Sequence, residues 1–346
     1  MTRRITLSDV ARRAGVSVST VSFVLNDRPG SRIPETTAAN VRAAAQALGY
    51  TPDHYARGLK TGRSKAIGFI SDEVTVTRYA SAMIRGILNV GEANQHAVFI
   101  AETGHGEREL VRAIRELQSR RVDGLILGMM QARELDVPNE FAALPMVVVN
   151  GTAGSIPAIL PDEYTAGERT VHFLLERGHR TIGLVGRSPL HQDPRVSVTI
   201  GRRFRGLDAA MKEAGLGFAL EVPGHEWEPD LGYRAAQEIV SRPDVTAVVA
   251  ANDRIGFGLH QGLAQSGTPV PDVSVISFDD DPLASYLRPG LTTTQLPYER
   301  MGEVAAGLVL RRASALQGKG KREMNDAETL VPMPLIVRSS VAVLAS

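Results

Sequence analysis

The sequence predicts an all-α head joined to a larger α/β body of two doubly wound parallel-sheet subdomains. Three observations carry this. Apolar residues recur at helical spacing in the first fifty residues, short continuous apolar runs alternate with helical stretches from residue 66 onward, and charge is split unevenly between the two parts. The chain has 346 residues and a formal net charge of +1, from 39 Lys and Arg against 38 Asp and Glu. That near-neutral sum hides a division: residues 1–65 hold 11 basic and 4 acidic side chains, so this segment carries +7 and the remainder −6. A small basic head on an acidic body is the pattern of a polyanion-binding module attached to a sensing or catalytic one.

In the head, Leu7, Val10, Ala11 and Ala14 fall on one face of a short helix, and Thr6 with Asp9 three residues later caps its start. Gly15 ends that helix at a left-handed turn position, and Ser17 caps a second one running to about Leu25. Val21, Val24 and Leu25 form the inner stripe of the second helix, which leaves Ser19, Phe23 and Asn26 on the opposite face. Small residues at Ala11 and Ala14 allow a close crossing. The result is a helix-turn-helix, which projects its second helix into a DNA major groove. A third helix starts at Pro34 and runs through Val41, Ala44, Ala45 and Leu48 to a stop at Gly49. A short helical segment follows between Pro52 and Gly62, too short to be stable alone. A helical dimerisation module would explain the core but neither the polar outward face nor the +7 charge.

In the body, apolar runs at 66–70, 97–101, 124–127, 146–149, 181–185, 247–250 and 273–278 read as buried parallel strands, in two sets divided near Pro161. The chain has no cysteine, which excludes disulfides, thiolate metal sites and cysteine nucleophiles. Its eight histidines show no metal-ligand spacing, and no P-loop, Gly-x-Ser-x-Gly elbow or His-Glu-x-x-His is present. No enzyme activity, cofactor or metal is therefore expected. No apolar run approaches the roughly 18 residues needed to span a bilayer, and the N-terminus leads into a polar periodic segment, so a cytoplasmic, nucleoid-associated protein without membrane contact is expected.

The run from Thr6 to Ser17, continued by Thr20-Val21-Ser22 and Val24-Leu25-Asn26, resembles the signature of the lactose-repressor/galactose-repressor (LacI/GalR) family of bacterial transcription regulators. Leu48-Gly49-Tyr50 and Ala56-Arg57-Gly58-Leu59-Lys60-Thr61-Gly62 extend the match, the latter resembling the family's hinge helix. Arg121 to Ile126, Arg177 to Arg180, Ala251-Asn252-Asp253, Val273 to Asp280 and Leu291 to Gln295 resemble the family's effector-binding region, which is periplasmic-binding-protein-like. The resemblance implies a helix-turn-helix domain at 1–50, a hinge at 51–64 and an effector-binding and dimerisation domain at 65–346. The latter divides into an N-subdomain (65–161 plus 292–322) and a C-subdomain (162–291 plus 323–346).

It also implies function. Thr6, Thr20, Ser22 and Asn26 would contact phosphates, with Ser17 at the same helix start. Val18, Ser19 and Phe23 stand where base edges are read, and Tyr55, Ala56 and Leu59 lie in the hinge, Leu59 as a minor-groove wedge. Val18 is open to two readings, a base contact or partial burial against the helix pair. Phe23 departs from the long polar or basic side chain that many members place there; it can touch thymine methyl groups but offers no bidentate guanine contact. For the effector, Arg203 matches the family's ligand-holding arginine and Trp227 an aromatic of the cleft, while Asp162, Asn252 and Asp279 follow strand ends. Asp72 and Tyr79 are further candidates near the first strand's end, where the stretch differs from that of many relatives. Asp253 and Asp280 read instead as loop ties. Carboxylates, an amide and a guanidinium around an aromatic plane suit vicinal hydroxyls, so a carbohydrate is the expected effector. The implied protein is a homodimeric, operator-binding repressor controlled by that effector. The alternatives are a sugar-binding protein without a DNA role and a regulator answering to a nucleobase or other non-sugar metabolite.

Overall fold

A computed structural model describes residues 5–25, 33–50, 64–75, 78–104, 106–316, 318 and 327–344. The chain separates into two compact units, Met1–Ser64 and Lys65–Ser346.

In the first unit, α1 (Leu7–Ala14), α2 (Val18–Leu25) and α3 (Glu35–Ala47) close on a small core of Val10, Ala11, Val21, Val24, Ala38, Val41, Ala44 and Ala45. The capping box is present: Asp9 N donates to the Thr6 hydroxyl, and the Thr6 backbone N donates to the Asp9 carboxylate at 3.0 Å. Gly15 takes φ 67°, the left-handed value the turn requires. Thr20 N donates to Ser17 Oγ at 3.1 Å and so caps α2.

The second unit holds two six-stranded sheets. The first runs β11-β5-β4-β3-β1-β2, with β1 (Ala66–Ser71), β2 (Ala97–Glu102), β3 (Gly124–Gly128), β4 (Met146–Val149), β5 (Ala158–Pro161) and β11 (Glu328–Val331). The second runs β12-β10-β9-β8-β6-β7, with β6 (Ile182–Val185), β7 (Leu220–Val222), β8 (Ala247–Ala250), β9 (Ser274–Asp279), β10 (Thr292–Gln295) and β12 (Leu335–Ile336). All ladders are parallel except β10 with β12. The seven expected apolar strands are all present.

Two subdomain boundaries differ from the expected ones. β10 pairs with β9, so residues 292–295 belong to the C-terminal sheet and the chain crosses over after Gln295. β11 pairs with β5, so the return crossing follows Val331 and not residue 322. The segment before Asp162, expected as a link, is strand β5. Each of these strands is four residues long, and only a distant partner makes it a strand.

Three helix pairs cover the sheets, and each crosses at glycines. A Cβ on Gly86 would lie 2.0 Å from Glu299 O, on Gly232 2.0 Å from Ile255 O, and on Gly206 2.0 Å from Tyr164 O. At these crossings backbone meets backbone, closer than any side chain permits.

His260, on the helix Asp253–Gln265, is 7% exposed and its Nε2 has no hydrogen-bond partner among the described residues. Burial pulls its pKa down to about 4. Because the folded value lies below the unfolded 6.5, the unfolded chain binds the proton first. Stability from a neutral His260 is therefore full above pH 6.5 and is lost as pH falls toward 4, by about 3 kcal/mol. Thermal unfolding of a His260→Leu variant between pH 7 and 4.5 is expected to fall less than that of the unaltered chain; equal losses would disprove the assignment.

Candidate functional site

On the head, α2 presents Val18, 44% exposed, and Phe23, 37% exposed, together with exposed Ser17 and Ser19. For Val18 this removes the burial reading. Thr20 and Ser22 are half-buried on the same helix, and exposed Thr6 caps α1. A surface of hydroxyls at two helix starts around one apolar pair suits phosphate contact at the edges and a base methyl at the centre. Asn26, Tyr55, Ala56 and Leu59 lie outside the described residues.

In the body, the carboxyl ends of both sheets bring polar side chains together, as open parallel sheets do. Arg203 lies 1% exposed on the helix Ile200–Glu213. Its Nε and Nη2 donate to the two carboxylate oxygens of Glu163, each at 2.7 Å, and its Nη1 donates to Ala251 O at 2.5 Å. Its guanidinium lies 4.2 Å from the centroid of the Phe278 ring and 5.7 Å from that of Trp227. Burial works against this charge, but Glu163 and Asp279 raise the guanidinium's pKa and hold it protonated. Asp279, at the end of β9 with φ 111°, stands 3.9 Å from Arg203. Burial, together with Asp253, Glu163 and Asp281, pushes its carboxyl well above the ordinary carboxylate range against the pull of Arg203.

The opposite wall comes from the first sheet. Asp72 follows β1, accepts from Met130 N at 2.9 Å and pairs with Arg133 at 3.4 Å. Tyr79 donates its hydroxyl to Asp281 at 3.4 Å across the two subdomains, and its ring lies 5.5 Å from that of Tyr298. Asn150, after β4, donates to Met129 O and Tyr298 Oη at 2.8 and 3.2 Å. Burial and the nearby carboxylates, Asp279 foremost, raise the pKa of both tyrosine hydroxyls and keep them protonated. Two backbone bonds also join the lobes, Val198 N to Ala132 O at 2.6 Å and Glu134 N to Pro194 O at 3.0 Å.

The expected residues thus fall into unequal groups. Arg203, Asp279 and Trp227 converge, and Asp72 and Tyr79 face the same junction through Met130, Arg133 and Asp281. Asn252 caps the helix Asp253–Gln265 by accepting from Ile255 N at 2.9 Å, and its amide donates to Trp227 O at 3.1 Å, so it positions the tryptophan. Asp162 caps the helix Glu163–Glu176 and adds to the field around Arg202, whose guanidinium joins Glu328 by two bonds. Asp253 accepts from Ser277 and from Asp281 N, and Asp280 pairs with Arg338 at 2.7 Å, so both are loop ties. Burial raises Asp253 to about 6.

The reading of the residues missed Glu163, Asp281, Tyr298, Arg133 and Asn150. An acidic residue beside a helix start carries an ordinary capping signal, so nothing local marks Glu163 as the partner of an arginine 40 residues away. The run Asp279-Asp280-Asp281 after a strand was the one usable clue to Asp281.

A head with an exposed recognition helix, attached to a two-lobed body with a polar cleft at its strand ends, defines a ligand-responsive DNA-binding regulator. Residues 6–53 match the family model for bacterial regulatory proteins of the lacI family, and residues 171–341 match that for a periplasmic binding protein-like domain. The chain is 32% identical over 316 residues to the ribose operon repressor of Escherichia coli strain K12, covering 89% of this chain and 92% of that one. It is 33% identical over 345 residues to the transcriptional repressor PurR of Photorhabdus laumondii, covering 97% and 96%. A crystal structure of the lac repressor dimer bound to operator and an anti-inducer superposes with a TM-score of 0.75 at 25% identity, covering 98% of this chain and 99% of that one. The chain belongs to the lacI family of bacterial transcriptional regulators. No helix among the described residues is long and apolar enough to cross a membrane.

Proposed function

We propose that this chain is a homodimeric repressor that holds a pseudo-palindromic operator through α2 and changes its grip when a carbohydrate occupies the cleft between the two sheets. The observation that carries the reading is the convergence of Arg203, Asp279, Trp227, Tyr79 and Asp72 at the strand ends of both lobes. A ligand touching both walls favours one lobe arrangement by its differential binding, and linkage makes the effect on operator affinity reciprocal. A sugar is supported by these donors and acceptors around aromatic rings, by the ribose operon repressor, and by a lacI-family regulator from Enterococcus faecium crystallised with bound ribose (TM-score 0.62, 25% identity). The dimer is supported by the operator-bound lac repressor. The PurR relatives favour a nucleobase as the second reading, with Tyr79 and Tyr298 as a stacking platform.

Operator binding by the purified chain, measured as a function of salt and of added sugars or purines, tests the proposal. A steep fall with salt and a change of at least about tenfold with one sugar are expected. A response to purines alone would replace the carbohydrate.

We also assign Val18 and Phe23 to base methyl contacts. Phe23→Ala is expected to weaken operator binding by about tenfold, or about 1.4 kcal/mol, with the head still folded because Phe23 lies outside its core. Unchanged affinity and selectivity would refute this.

A further inference from the structure

The effector cleft supplies cations only in pairs with its own carboxylates. Arg203 gives its Nε and Nη2 to Glu163 and its Nη1 to Ala251 O, in a site from which solvent is excluded. Arg133, on the facing wall, pairs with buried Asp72. Asp279 and Asp281 add two more carboxyls at the same junction, with Asp253 immediately behind them. Five carboxyl groups thus stand around two guanidiniums. The field of these groups is visible in the tyrosines, whose hydroxyls, already disfavoured from ionising by burial, are pushed further in the same direction by Asp279 and its acidic neighbours.

From the Glu163–Arg203 pairing and this excess of carboxyls we infer that the effector is an uncharged carbohydrate, and that phosphorylated sugars and sugar acids are excluded. The inference rests on the carbohydrate reading proposed above and narrows it. An anionic ligand would have to displace Glu163 from Arg203, which would leave a carboxylate buried without its counter-ion, or else lie against Asp279 and Asp281 unneutralised; both routes are costly in a low-dielectric site. A hydroxyl meets no such barrier. It donates to Asp279, Asp281 or Asp72 and accepts from a tyrosine hydroxyl, and a protonated Asp279 both donates and accepts. Glu163 therefore acts as a built-in counter-ion that sets the charge selectivity of the arginine.

Matched pairs test this on the full chain: ribose against ribose 5-phosphate, glucose against glucose 6-phosphate, and galactose against galacturonate, by calorimetric titration and thermal shift. The last pair differs little in size, so it separates charge from bulk. The uncharged member is expected to bind at least about tenfold more tightly in every pair that binds at all. Tighter binding of an anionic member overturns the inference and leaves the carbohydrate reading standing. Response to a purine, with none to any carbohydrate at about 10 mM, overturns both. Glu163→Gln, which keeps the volume and removes the charge, is expected to narrow the galactose–galacturonate gap several-fold. An unchanged gap would show that this pair does not set the selectivity, and the matched pairs on the unaltered chain decide the question if that variant does not fold.

Discussion

Arg203→Ala is expected to destabilise the body by about 3–5 kcal/mol, the largest loss from any single polar substitution in this chain. The reason is burial: Glu163 is 1% exposed, and without the guanidinium its carboxylate keeps no counter-ion and loses two charge-assisted hydrogen bonds of 2.7 Å. Ala251 O loses its donor as well. Glu163→Ala is expected to cost a similar amount, because it strands the cation in turn. The double variant removes both charges and is expected to be more stable than either single one, so the two losses will not add. Urea unfolding of the three variants measures this coupling. Strictly additive losses, or a loss below about 1 kcal/mol for Arg203→Ala, would mean that the pair is not the electrostatic centre of the cleft. The operator-binding head forms its own core, so its folding is expected to survive all three changes.

Gly206→Ala is the second large effect, and its sign is diagnostic. In an ordinary helix interior, glycine to alanine stabilises by up to about 1 kcal/mol. Here the added Cβ would lie 2.0 Å from Tyr164 O, while a Cβ on Gly167 across the crossing would lie 2.3 Å from Arg203 O. The helices Glu163–Glu176 and Ile200–Glu213 must separate to admit it, at about 2–3 kcal/mol. Those helices carry Glu163 and Arg203. Their separation moves carboxylate and guanidinium apart, and effector affinity is expected to fall together with the melting temperature. A melting temperature equal to or above that of the unaltered chain would show that the crossing relaxes without cost.

Much of the head was legible because its determinants are local. Thr6 with Asp9, Gly15, Ser17 and Pro34 act within one turn of themselves, and three short helices admit few ways to bury Val10, Val21 and Val41. The apolar strands of the body were legible for a related reason: a strand covered on both faces must be apolar along its whole length. Strands at sheet margins were not. β5, β7, β11 and β12 are two to four residues long, and ladders with distant partners decide them.

The site divides the same way. Its residue types were readable at strand ends, but which carboxylate neutralises which cation was not, since Glu163 meets Arg203 across a helix crossing that glycines alone permit. The sequence by itself determined the helical head, the two α/β halves and the basic-to-acidic division of charge, because periodicity, caps and composition are properties of neighbouring residues. Only the tertiary structure decided where the chain crosses between sheets, which side chains became caps or ties, and how the cleft's cations are neutralised. Those depend on contacts between residues tens to hundreds of positions apart, whose energies exist only once the chain has closed on itself.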